Sequence, residues 1–352
     1  MVPLTDTPEG LAEIVPLFTS LPRLAVDTEA DSLHCYYEKL CLIQISIPGR
    51  DFLIDPLAPM DLAPLWSSWA EKELIFHGAD YDLRLLRRAG CPRPARIFDT
   101  MIAARLVGLP EFSYAALMDR YFQLKIAKAS QKANWARRPL SPQMIEYAVN
   151  DTHRLEALRD LLDTELDRLQ RRTWFEQLCE RAIRASEAEK EIDPDQLWRI
   201  AGSGHLRDRA AAIFRELWKW REDEAQRVDR PTFHILHSDM LVEAAGRFDA
   251  GQTVEFRHLH GQRERRFHEA AKRGLDTPPG QWPKIERKPR LRPTKPQLEK
   301  LDALKLHRDR VATELKLDPS LIAPKATLEG LAFRPEETLA RMLPWQRELL
   351  GL

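Results

Sequence analysis

The texture of the sequence changes near residue 190, and this change limits the possible folds more than any other feature. Before it, short apolar runs of β type alternate with helical patterns. Leu24-Ala25-Val26 reads as a strand, as do Leu40–Ile47 and Phe52-Leu53-Ile54. Pro48-Gly49-Arg50-Asp51, between the last two, has the turn chemistry of a hairpin. Leu74-Ile75-Phe76 is a further strand that runs through His77-Gly78-Ala79 into a helix carrying Leu83, Leu85 and Leu86, which Gly90 and Pro92 end. Helices are expected over Thr100–Val107 and Ser113–Phe122, and as one long segment from about Pro142 towards Arg172. An antiparallel start followed by strand–helix alternation predicts an α/β domain, a mixed sheet with flanking helices, over residues 1–190.

Beyond about Leu197 no strand pattern is convincing. Leu206–Ala225 carries Ile213, Leu217 and Trp220 with charges between them, the pattern of an amphipathic helix, and Pro231 ends that unit. An all-α domain is therefore expected over residues 197–276. Six prolines at 278, 279, 283, 289, 293 and 296 then mark residues 277–296 as a linker. Lys284, Arg287, Lys288, Arg290, Arg292 and Lys295 oppose only Glu286 there, a local charge of +5. Residues 297–352 read as a helical tail.

Composition removes several classes of function. The 352 residues hold 54 basic and 54 acidic side chains, so a histone-like polycation is excluded. An apolar share of 43% without large net charge argues against wholesale disorder. Cys35, Cys41, Cys91 and Cys179 are scattered without a Cys-x-x-Cys pair, so neither a zinc ribbon nor a disulfide scaffold is indicated. The first 20 residues contain Asp6, Glu9 and Glu13 but no Lys or Arg, which is wrong for a signal peptide. The longest apolar run, Leu40–Pro48, falls far short of a membrane span. A cytoplasmic protein without membrane partners is expected. Neutrality does not exclude nucleic acid, because opposite charges can be segregated along a chain.

The carboxylates carry the chemistry. Asp27 and Glu29 lie two apart at the end of the first strand, so they project to one face. Asp82 opens the helix after the Leu74-Ile75-Phe76 strand, and Tyr147 and Asp151 share a helix face one turn apart. If these elements converge, four carboxylates surround one pocket and repel one another. Hard divalent cations with oxygen ligands, Mg²⁺ or Mn²⁺, relieve that repulsion, and two of them can clamp the attacking and leaving oxygens of a phosphoryl transfer. Taken singly, each piece reads as an ordinary surface carboxylate or a half-buried Tyr; their order along the chain raises the odds.

That order resembles the ribonuclease D family and the wider 3′–5′ exonucleases with three Asp, one Glu and a Tyr. The motifs are Leu24-Ala25-Val26-Asp27-Thr28-Glu29, Ile75-Phe76-His77-Gly78-Ala79-Asp80-Tyr81-Asp82-Leu83 and Tyr147-Ala148-Val149-Asn150-Asp151. Leu42-Ile43-Gln44-Ile45, Phe98-Asp99-Thr100 and Arg138-Pro139-Leu140 match as linking stretches, and the Tyr places the chain in the tyrosine branch. The resemblance implies an RNase H-like exonuclease fold and two metal ions held by Asp27, Glu29, Asp82 and Asp151. It also implies that Tyr147 orients the attacking water and that a nucleoside 5′-monophosphate is released. Trp198-Arg199-Ile200, Leu217-Trp218-Lys219-Trp220-Arg221-Glu222 and Pro231-Thr232-Phe233-His234-Ile235-Leu236 resemble the helical HRDC module, with a possible degenerate second copy in the tail.

Other residues have plainer readings. His77 reads as a satisfied histidine near the sheet edge, Asp80 as a surface or helix-start carboxylate, and Asp99 as a helix cap. Residues 120–138 hold six basic side chains and no acidic one, with Tyr121, Phe122 and Trp135 interleaved, a composition that suits single-stranded nucleic acid or, equally on pattern alone, a solvated face with the aromatic rings turned into the core; its position just before the third motif favours a substrate channel. Lys128, Gln131, Trp135 and Arg138 are the candidate substrate-binding residues of this stretch. The expected function is metal-dependent 3′–5′ exoribonuclease action on RNA with a free 3′ end, such as tRNA precursors. The alternatives are a 3′–5′ DNA exonuclease of the same branch and a non-catalytic RNA-binding adaptor.

Overall fold

In the computed structural model, which describes residues 2–126, 130–188, 193–284 and 293–352, the apolar runs of the first half form one six-stranded sheet. The strands are β1 (Leu4–Thr5), β2 (Arg23–Ala30), β3 (Leu40–Ile47), β4 (Arg50–Ile54), β5 (Glu73–Phe76) and β6 (Arg96–Asp99), in the order β1-β4-β3-β2-β5-β6. β2, β3 and β4 form an antiparallel meander, and β5 and β6 add parallel to β2. β1 and β6 have no counterpart in the sequence reading. At two and four residues they are too short to show a period, and only pairing with β4 and β5 makes them strands.

Eight helices accompany the sheet: α1 (Pro8–Thr19), α2 (Ala63–Trp69), α3 (Asp80–Arg88), α4 (Thr100–Leu106), α5 (Tyr114–Phe122), α6 (Pro142–Thr152), α7 (Leu155–Arg168) and α8 (Arg172–Glu187). Their starts follow capping chemistry. Thr7, Ser113 and Ser141 accept backbone N–H groups with their side chains at α1, α5 and α6. The long helix expected from Pro142 is three helices. Arg154 leaves helical geometry between α6 and α7, and Gln170 takes a left-handed φ of 56° between α7 and α8. The breaks let α6 pack over β3 and β4 while α7 packs against β5 and α4. A straight helix would lose one of these contacts.

The chain divides into two compact units, and the second comprises the described residues of Asp31–Lys39 and Glu189–Arg290. Its helices are α9 (Pro194–Leu197), α10 (Asp208–Arg227), α11 (Thr232–Ile235), α12 (Ser238–Asp249) and α13 (Gly261–Leu275). Phe214, Leu217, Trp220, Leu241 and Phe267 form its core. A Cβ on Gly274 would stand 2.4 Å from Ile213 Cα, so only glycine permits α10 and α13 to approach this closely. Glu224, 1% exposed, is held by Arg266 at 2.5 Å and Arg227 at 2.8 Å, which compensates its burial.

The tail, α14 (Lys295–Leu315), α15 (Pro319–Ile322), α16 (Lys325–Phe333), α17 (Pro335–Arg341) and α18 (Pro344–Leu349), belongs to the first unit. Ile322, Leu328, Leu331 and Trp345 join the hydrophobic core of the sheet domain, and Trp345 stacks on Trp174 at 4.9 Å. Arg171 bridges the Leu106 and Leu315 carbonyls at 2.5 and 2.6 Å. Gly108, at φ 87°, lies where a Cβ would be 2.4 Å from the Lys316 carbonyl oxygen. The tail helices pack on one another, α14 against α15 and α16 and α16 against α17, and their apolar residues are continuous with the core of the sheet domain. Among the described residues no helix is long and apolar enough to cross a membrane.

Candidate active site

The end of β2 supplies Asp27 and Glu29, and α6, packed across β2, β3 and β4, supplies Asp151. One carboxylate oxygen from each of the three lies within 4.8 Å of the others. Asp82 sits in the first turn of α3, 6% exposed, and accepts the Thr28 hydroxyl at 2.6 Å. Strand alternation alone separates Thr28 from Asp27 and Glu29, and that is how one short segment serves both Asp82 and the other carboxylates.

Burial and mutual repulsion dominate the electrostatics. Asp27 is pushed well above its ordinary range by burial first, then by Asp82, Asp151 and Glu29. Burial, with Asp151 and Asp82 adding, lifts Glu29 to about 9. Burial lifts Asp82 to about 7 against the stabilising Thr28 hydroxyl, and lifts Asp151 to about 7 against the hydrogen bond it accepts from Tyr147. No lysine or arginine is among the leading influences on any of the four. The donors are all carboxylate oxygens, so the set fits hard divalent cations, which would supply the missing positive charge.

Tyr147 donates to Asp151, and burial followed by the charge of Asp151 raises its pKa further, so the phenol stays protonated. Behind it lies Trp135, 1% exposed, its ring 6.0 Å from that of Tyr147. This corrects the expected role of Trp135: a ring buried among Leu42, Leu53 and Leu140 cannot stack on a base. Tyr121 and Phe122 likewise pack against the main core. Arg138 is also engaged internally, with Asp55 at 2.5 and 2.6 Å and the carbonyls of Cys41 and Trp135 at 2.7 and 2.6 Å. Gln131 is exposed, and Lys128 lies outside the described residues, as do Arg287, Lys288, Arg290 and Arg292 of the basic linker.

The fixed Arg138 gives a direct prediction. Arg138→Ala would leave Asp55, 5% exposed, without its counter-charge, and should destabilise the first unit by about 3–5 kcal/mol in denaturant titration. RNA affinity of the folded fraction should hardly change. A large affinity loss at unaltered stability would contradict the internal role.

The plainer readings of Asp80 and Asp99 agree with the geometry, and that of His77 holds at one ring nitrogen only. Burial depresses His77 to about 4, and its Nδ1 pairs with the Thr100 hydroxyl at 2.9 Å, so it is neutral and tied down, while its buried Nε2 has no hydrogen-bond partner. Asp80 is exposed and pairs with Arg84 at 2.7 Å. Asp99 caps α4 by accepting from Met101 and Ile102, and it also accepts the Gly78 and Ala79 N–H groups at 3.0 and 2.8 Å. Three contributors escaped the sequence reading. Thr28 orients Asp82, and Tyr114 donates to the Asn150 carbonyl at 2.6 Å one residue before Asp151. Gln44, opposite Asp27 on β3, is fully buried with its amide unpartnered. A polar Gln inside the apolar run Leu40–Ile47 was the available signal.

Comparison with known proteins follows the same division. The family described as 3′–5′ exonuclease matches residues 3–167, and the HRDC domain family matches residues 210–273. The chain is 30% identical to ribonuclease D of Gluconacetobacter diazotrophicus over 99% of its own length and 90% of that protein. It is 27% identical to ribonuclease D of Pseudomonas paraeruginosa over 94% of this chain and 90% of that one. Among solved structures, a protein from Bifidobacterium adolescentis aligns with a TM-score of 0.84 at 23% identity, covering 99% of this chain and 95% of that one. Escherichia coli RNase D aligns with a TM-score of 0.72 at 21% identity, covering 100% and 99%. These two likenesses are of fold.

Proposed function

Because the chain belongs to the ribonuclease D family and is a 3′–5′ exoribonuclease acting on RNA, we propose that Asp27, Glu29, Asp82, Asp151 and Tyr147 are its catalytic group. The observation that carries this reading is the meeting of Asp27, Glu29 and Asp151 oxygens within 4.8 Å, with Tyr147 bonded to the last of them. The four carboxylates would hold divalent metal, Mg²⁺ or Mn²⁺. Such ions, when bound, supply Lewis-acid chemistry at the scissile phosphate.

The chain's own residues do the rest. Thr28 fixes the orientation of the Asp82 carboxylate through its hydroxyl. Tyr147, protonated and braced by Trp135, positions the attacking water with its hydroxyl and does not take a proton from it. The water oxygen forms the new bond to phosphorus, the bond to the 3′-oxygen of the preceding nucleotide breaks, and that 3′-oxygen leaves with a proton. The terminal nucleotide therefore departs as a 5′-monophosphate. The HRDC unit and the basic composition of residues 284–295 support an RNA substrate, and we assign the 3′ ends of tRNA precursors as the target class.

The test is a time course on a 3′-extended tRNA precursor with Mg²⁺ or Mn²⁺, resolving both the shortened RNA and the released nucleotide. Stepwise loss from the 3′ end with nucleoside 5′-monophosphates is expected, whereas 3′-monophosphates or internal cuts would overturn the assignment. In the same assay Tyr147→Phe should lower kcat on the order of 10²-fold with RNA affinity nearly unaltered. Equal losses in both would remove Tyr147 from its orienting role.

A further inference from the structure

The tail helices and two helices of the sheet domain enclose a pocket of about 730 Å³ that none of the catalytic carboxylates lines. Arg105 from α4, Arg181 from α8, and Arg334 and Arg341 from the two ends of α17 line it, and no Asp or Glu does. The chain has as many acids as bases, and most of the arginines around the sheet are paired, as Arg23, Arg138, Arg159 and Arg172 are. These four are different. Arg105 Nε is buried without a hydrogen-bond partner, and its guanidinium rests over the Phe112 ring at 5.3 Å. Among the described residues Arg181 and Arg341 have no ion-pair partner, and Arg334 has only an exposed contact with Glu337 at 3.6 Å. The neighbouring carboxylate, Asp318, caps α15 by accepting the Ser320 N–H at 2.8 Å, which holds it below the usual carboxylate range with smaller help from Arg105 and Arg308, and it does not line the pocket.

Four guanidinium groups on one opening, with no acid among its lining residues, give it a positive potential that favours an anion. Planar guanidinium groups match phosphate oxygens two at a time, and the Ser320 and Thr327 hydroxyls add donors on the same wall. The volume falls in the range, about 300–1,000 Å³, that holds a ligand of nucleotide size. We propose that this pocket binds the phosphate of a nucleotide, as an anchoring site separate from the catalytic carboxylates. The ligand is either one residue of the RNA substrate or a free mononucleotide. Only the choice of a nucleotide over another phosphate rests on the exoribonuclease reading.

The experiment uses the full chain with Asp27→Asn to prevent hydrolysis, a labelled single-stranded RNA, and adenosine 5′-monophosphate as the free nucleotide. Arg181→Gln with Arg341→Gln should weaken RNA binding about tenfold. It should also reduce the steepness of log affinity against log salt by about 1.4, since each lost single-strand phosphate contact removes about 0.7. The matching Lys substitutions should retain most of both. If the Gln pair instead abolishes adenosine 5′-monophosphate binding and leaves RNA affinity intact, the free nucleotide is the ligand. Unaltered affinity and salt slope for RNA, together with no nucleotide binding that depends on these arginines, overturns the proposal. Both side chains are exposed and unpaired, so the melting temperature should hold; should it fall, Arg334→Gln repeats the measurement from another wall. Hydrolysis by the unsubstituted protein is followed in parallel. Absence of any nuclease activity there would count against the catalytic reading and leave the pocket measurement intact.

Discussion

Replacing Asp27 by Asn should reduce 3′-end hydrolysis on the order of 10³-fold, the equivalent of about 4 kcal/mol of transition-state stabilisation, while leaving RNA bound. Asp27 is the carboxylate on which the other three act, since Asp82, Asp151 and Glu29 all raise its pKa. An amide in its place keeps the shape and cannot ionise. In metal-free buffer near neutral pH the same substitution should therefore raise the melting temperature, because buried Asp27 must take up a proton that the unfolded chain has released and Asn need not. Opposite signs for activity and stability are what a functional carboxylate predicts, and a structural one would lose both. Retention of more than about a hundredth of the native rate would remove Asp27 from the catalytic group.

The second large effect is the coupling of pH, metal and stability. Burial raises Asp82 and Asp151 to about 7 and Glu29 to about 9, so the metal-free folded state holds protons that the unfolded chain releases near pH 4. Stability from these groups is fully present below that unfolded value and is lost as pH rises through about 7 and then about 9. With chelator present, the melting temperature should fall by roughly 5–10 °C between pH 6 and 9, allowing for partial solvent access to the cleft. Mg²⁺ or Mn²⁺ should recover most of that loss, and more at the alkaline end, where the metal no longer competes with protons. Calorimetry across that range, with and without metal, measures both arms. A metal-induced gain that is constant with pH would mean the cation binds elsewhere.

The carboxylate set was legible because its spacing is a property of local geometry. Residues two apart on a strand and four apart on a helix share a face in any context, so Asp27 with Glu29 and Tyr147 with Asp151 were paired before the elements were placed. Asp99 was also readable, since capping needs only neighbouring N–H groups. Composition misled at residues 120–138. Basic and aromatic residues there look like a strand-binding surface, yet Trp135 and Arg138 are spent on the interior, one filling space behind Tyr147 and the other neutralising Asp55. Composition reports which groups are present and is silent on which way they point.

By itself the sequence determined the β2–β3–β4 meander, the α/β-to-α change near residue 190, and the four carboxylates and one tyrosine that we propose as the catalytic group. Those follow from short-range periodicity, turn chemistry and motif order. Tertiary structure alone decided that one long helical pattern breaks at Arg154 and Gln170, that two short strands join the sheet, and that the tail docks on the sheet domain. It alone brought Arg105, Arg181, Arg334 and Arg341 around one pocket from positions up to 236 residues apart in the chain. The physical reason is the same in each case. Such features are set by where apolar faces find partners and by which charges burial leaves unpaired, and neither is a property of neighbouring residues.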